Sequence, residues 1–87
     1  MKLNYEFALR EIMGEYILVP VGESALRFSG MITTTEVGAF LWRHLPEVHR
    51  EEELVRLVIE DYEIDRETAE ADIGEFLQKL REMGILE

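Results

Sequence analysis

The chain has no cysteine among its 87 residues. That excludes a disulfide framework and any thiolate metal site. No apolar run approaches the roughly 20 residues that span a bilayer, and the opening MKLNYEFALREI is too polar for a secretory signal. An intracellular, cytoplasmic protein with no membrane partner is the expectation. Bases are scarce: 9 Lys and Arg stand against 19 Asp and Glu, a net charge of −10. Residues 1–46 carry five acids and four bases, residues 47–87 fourteen acids and five bases. A surface of that sign repels phosphate, which makes nucleic acid a poor partner for the second half. The acidity itself reads as a solubilising face.

Catalytic equipment is equally thin. Ser24 and Ser29 lack a G-x-S-x-G context, and there is no P-loop and no G-x-G-x-x-G. His44 and His49 lie across Pro46 and near Glu51, Glu52 and Glu53, at spacings that match no familiar metal site. They read as surface histidines. The three glutamates open a helix, where carboxylates offset the positive end of its dipole. No catalytic residue, metal or cofactor is expected.

What is present is 47% hydrophobic residues, enough for a core without staples, in a length that suits a single domain over residues 1–87. Gly14 and Gly22 punctuate the first third and predict strands at about Phe7–Met13, Tyr16–Val21 and Ala25–Ile32. In the third of these, Leu26, Phe28 and Ile32 share the face expected to pack inward, and Arg27, Ser29 and Met31 share the other. The threonines that follow change the period. Thr33 with Glu36 forms a capping-box pattern, and Thr35 is the competing cap. Helices are predicted at about Glu36–Leu45, stopped by Pro46, at Glu51–Tyr62 with a Glu52–Arg56 pair, and at Arg66–Met83 capped by Asp65. The last carries an apolar stripe of Ala69, Ile73, Phe76, Leu77 and Leu80, with Gly84 as its stop and Ile85 and Leu86 tucking back beneath it.

The order βββααα gives an α+β class: a three-stranded antiparallel sheet followed by three helices that cover one face. The third strand then has a free edge with one charge and no proline. Edges are normally blunted, and an unblunted one is a hazard or a docking site. Gly30 would let another chain sit close on that edge. Asp72, beside the apolar stripe of the last helix, is either a solvated residue or a polar contact to a partner along that helix. Gly74 is either a tolerated weak spot or a point of close approach, and Gly38 lets its helix pack tightly.

Four stretches taken in order carry a family resemblance: FALREIMGEYILVPVG, ITTTEVGAFLW, EELVRLVIEDYEID and TAEADIGEFLQKLREMGILE. From about Phe7 to Glu87 the chain resembles the family of coenzyme PQQ synthesis protein D, the small domains called RiPP recognition elements. Many members carry asparagine where Thr35 stands and a longer, more polar turn where Gly22-Glu23-Ser24 stands here. The resemblance implies a winged helix-turn-helix fold and a non-catalytic adaptor that works in natural product biosynthesis as a peptide chaperone. Such an adaptor binds the leader of a ribosomally made precursor peptide by strand addition. It presents that peptide to a modifying enzyme, often a radical-SAM protein. The residues so implied are Leu26, Arg27, Phe28, Ser29, Gly30, Met31 and Ile32 on the strand, facing Ala69, Asp72, Ile73 and Phe76 on the last helix. Arg27 would pair with a leader carboxylate, and Leu77 or Leu80 would lie deeper. A monomer or weak dimer is expected. The competing reading is a winged-helix DNA-binding domain, which the predominance of acids over bases on the second and third helices disfavours.

Overall fold

A computed structural model describes residues 1–87. Strands β1 (Phe7–Ile12) and β2 (Glu15–Pro20) form an antiparallel hairpin whose last pair is Ile12 and Glu15. The two-residue turn, Met13-Gly14, has φ of 52° and 83°. Two positive φ values make the turn whose twist matches that of the strands, and Gly14 adopts this geometry without cost. Strand β3 (Ile32–Thr34) pairs with β2 through Leu18–Ile32, Ile17–Thr33 and Tyr16–Thr34, giving the sheet order β1-β2-β3.

The helices follow: α2 (Glu36–His44), a 3₁₀ turn over Leu45–Glu47, α3 (Glu51–Asp61) and α4 (Arg66–Glu82). The α+β class, a three-stranded antiparallel sheet followed by three helices, is therefore the one observed. No helix is long and apolar enough to cross a membrane.

The third strand differs from expectation. Ser24–Arg27 forms a one-turn helix, α1, and the chain from Phe28 to Met31 is a loop. Local bonds explain this. The N–H groups of Ser24, Ala25 and Leu26 donate to the carbonyls three residues back, so they are withdrawn from any ladder. The buried Ser24 hydroxyl accepts the Glu6 N–H at 2.8 Å and ties the turn to the entry of β1. Phe28 then packs edge-on against Tyr5 and Phe7, at 5.0 and 5.2 Å between ring centroids. Pro20 has no N–H to offer a longer neighbour. Of the alternation read across Leu26 to Ile32, only Ile32 lies in a strand, and Leu26 is 86% exposed rather than packed inward.

The caps fall where side-chain oxygens meet free N–H groups. Thr35 Oγ1 accepts from Gly38 N–H at 3.0 Å, so Thr35 caps α2 and Thr33 lies in the strand. Asp65 Oδ1 accepts from Thr68 N–H at 2.7 Å and caps α4. Glu53 reaches back to the N–H groups of His49 and Arg50, and these bonds hold its carboxyl below the usual range. The expected Glu52–Arg56 pair is replaced by one between helices. Arg66, at the start of α4, bonds both carboxylate oxygens of Glu52 and also lies 3.3 Å from Glu70. A guanidinium prefers such a two-point partner.

The core sits between the inner sheet face and the helices. Leu18 from the sheet meets Leu41, Leu45, Leu54, Val58, Ile73 and Leu77, each at most 1% exposed. Past α4, the N–H groups of Ile85 and Leu86 return to the Leu80 carbonyl, and both side chains are buried beneath the helix as expected.

Candidate functional site

Because β3 pairs with β2 alone, its other edge is unpartnered. Beside that edge runs a groove of about 480 Å³ between β3, α2 and α4. Its floor is apolar: Leu18 and Ile32 from the sheet, and Val37 and Leu41 from α2. The α4 wall presents Asp72, Glu75, Phe76, Lys79, Leu80 and Met83, and Thr33, Thr34 and Thr35 form the strand-side rim.

Two adjacent stripes on α4 divide the labour. Ala69, Ile73, Leu77 and Leu80 are buried in the core. Asp72, Phe76, Lys79 and Met83 follow the neighbouring stripe at i, i+4, i+7 and i+11, and face the groove. Gly38 brings α2 close to the rim: a Cβ there would stand 2.0 Å from Thr34 Oγ1. The charges along the groove are unevenly matched. Glu75 and Lys79 pair at 3.6 Å, whereas Asp72 is exposed and makes no ion pair or side-chain hydrogen bond.

Of the residues expected to share one groove, Ile32, Asp72 and Phe76 come together. Ala69 and Ile73 are 0% exposed in the core. Leu26 and Arg27 lie on α1, and Arg27 borders a different hollow with Asn4, Tyr5 and Glu6. Phe28 is held in the aromatic cluster, and Ser29, Gly30 and Met31 are exposed loop. Gly30 has φ 94°, a backbone conformation that favours glycine, and nothing of this chain lies within 4 Å of its Cβ position. A Cβ at Gly74 meets nothing either, so no part of this chain requires glycine there.

The residues that sequence reasoning passed over are Thr33 and Thr34, Val37, Glu75, Lys79 and Met83. Thr33 was weighed only as a cap and Thr34 was given no role, although consecutive β-branched residues after Ile32 are themselves a strand signal. Away from the groove, His44 Nδ1 lies 3.1 Å from Glu47 and its ring packs on Phe40. No three potential metal-binding side chains cluster.

The chain belongs to the family of coenzyme PQQ synthesis protein D, whose model matches residues 15–86. Among solved structures it is similar to TbiB1 in complex with the TbiA(beta) leader peptide. That likeness has a TM-score of 0.73 and 29% identity, and covers 100% of this chain and 95% of that one. No curated protein matches the chain.

Proposed function

We propose that this protein is a non-catalytic adaptor that binds the leader segment of a ribosomally synthesised precursor peptide and presents it to a modifying enzyme, of the radical-SAM kind by family resemblance. The leader adds a strand to the open edge of β3, and its alternate side chains enter the groove against α4. The observation that carries this reading is the unpartnered strand edge directly beside an apolar-floored groove. Main-chain bonds to the edge supply affinity, and pockets for alternate side chains supply selectivity. The full-length likeness to a leader-bound structure supports the same reading. The contact set so proposed is Ile32, Thr33 and Thr34 on the edge with Asp72, Phe76, Leu80 and Met83 on the helix.

The cations of α4 argue against the nucleic-acid alternative. Arg66 is engaged by Glu52 and Glu70, and Lys79 by Glu75, which leaves Arg81 as the one unpaired base on a helix that also carries Glu67, Glu70, Asp72, Glu75 and Glu82.

The test is an NMR titration of labelled protein with the leader half of a short peptide encoded beside its gene. Shifts concentrated on Ile32–Thr35 and on the Asp72–Met83 face are expected. Shifts confined to α1 and the 28–31 loop would move the site there, and saturable binding of duplex DNA in place of the peptide would overturn the adaptor reading.

A further inference from the structure

The groove's charges and dimensions restrict which peptide it can take, if it is the leader site proposed above. From Asp72 to Met83 the α4 wall extends eleven residues, about 16 Å at ~1.5 Å per residue. An extended strand covers that length in about five residues at ~3.3 Å each, and three of them point to the helix. The wall those three meet is graded. Asp72 stands at one end with no partner. Phe76 occupies the middle. Leu80 and Met83 form the other end. Lys79 already has Glu75 at 3.6 Å, whereas Asp72 makes no ion pair and is the charge left to be matched.

The surroundings have the same sign. The hollow that shares Thr33, Thr34 and Thr35 with the groove is bordered by Glu11, Glu15 and Glu36 and by no base. A peptide approaching a chain of net charge −10 is favoured when it is cationic.

We infer that the docking segment carries one Lys or Arg opposite Asp72, followed at alternate positions by two apolar side chains over Phe76 and over Leu80 and Met83. The order is basic-x-apolar-x-apolar, or its reverse, according to whether the strand adds parallel or antiparallel to β3. Asp72 is then the residue that selects for peptide charge, and the apolar floor is what selects for spacing.

The probe is a library of random peptides displayed on phage, selected against the immobilised wild-type protein and separately against Asp72→Lys. Asp72 is exposed and unbonded, so this variant folds. Wild-type protein should enrich the basic-x-apolar-x-apolar spacing, and Asp72→Lys should turn the basic position acidic. In a synthetic copy of the leading peptide, exchanging Lys for Glu should weaken wild-type binding by about three- to tenfold at low salt, the range for exposed charge pairs turned from attraction to repulsion. The same exchange should strengthen binding to Asp72→Lys, and both differences should shrink in high salt. Apolar alternation without charge preference, with shifts still in the groove, would overturn the role of Asp72 and leave the peptide groove standing. Enrichment of no peptide, or of peptides whose shifts fall away from Ile32–Thr34 and Asp72–Met83, would overturn the groove itself.

Discussion

Gly38 sets the spacing between α2 and the groove rim, and replacing it by alanine tests that spacing directly. In an exposed helix the change would stabilise by about 1 kcal/mol, because glycine loses more backbone freedom on folding. Here the new Cβ would lie 2.0 Å from Thr34 Oγ1, and 3.3 Å from both Thr34 Cβ and Thr35 Oγ1. Rotating the Thr34 hydroxyl away relieves the first contact and leaves the second, and Thr34 is paired with Tyr16 in the sheet. Displacing Thr35 loosens the cap that accepts Gly38 N–H. Overpacking costs about 1–3 kcal/mol and a lost cap about 1. The balance against the propensity gain is a net destabilisation of about 1–3 kcal/mol. In a domain of this size each kcal/mol lowers the melting temperature by roughly 4–8 °C. Urea unfolding should show the lower midpoint at unchanged slope. Combining Gly38→Ala with Thr34→Ala removes the closest contact, and a double-mutant cycle should return a coupling of about 1 kcal/mol or more. A Gly38→Ala protein as stable as wild type, with no coupling to Thr34, would refute the account.

Gly74→Ala should do the opposite and stabilise by about 0.5–1 kcal/mol, since nothing lies within 4 Å of the added carbon, read by the same urea titration. Ile73→Ala should cost about 2–5 kcal/mol, because the side chain is 0% exposed in the core, so its effect on peptide binding would be obscured by unfolding. Arg27→Glu should leave leader affinity unchanged in a binding titration, because Arg27 borders a different hollow. Stability should also fall with acid. Bonds from the Thr68 backbone and side chain lower the Asp65 pKa, and those from the His49 and Arg50 backbone lower that of Glu53. Both groups bind protons more weakly folded than unfolded. Their contribution is therefore complete above the ordinary values of 3.8 and 4.5, and is lost as pH falls through the depressed folded values. Asp65→Asn keeps a good cap but cannot titrate, so its denaturation midpoint should match wild type at pH 7 and decline less steeply below about pH 4.

Most of the fold was legible in the sequence because its signals are local. Gly14 in the hairpin turn, Asp65 as a cap, Pro46 after a helix and the period of the apolar residues on α4 each act within a few residues, and each holds, whereas Gly22 turns the chain into α1 instead of a third strand. The errors came where alternatives nearly tie locally. Ala25 to Ile32 alternates like a strand, yet the contacts that decide against one over most of that length come from elsewhere in the chain: Glu6 N–H on Ser24, and Tyr5 and Phe7 around Phe28. Glu52 had Arg56 at good helical spacing, and took Arg66 on another helix instead.

The candidate site divides along the same line. Residue order and spacing sufficed to assign the family, to predict an unblunted third strand and to mark Asp72 and Phe76 on the facing helix. Only tertiary structure decided that the open edge is Ile32–Thr34, that Ala69 and Ile73 belong to the core while Lys79 and Met83 face the groove, and that Asp72 is the charge left unmatched. The physical reason is that a helical stripe and a strand edge are defined by the chain itself, whereas a groove exists only between elements. Its lining depends on the rotation of α4 about its axis and on the close approach of α2 at Gly38, and packing sets both.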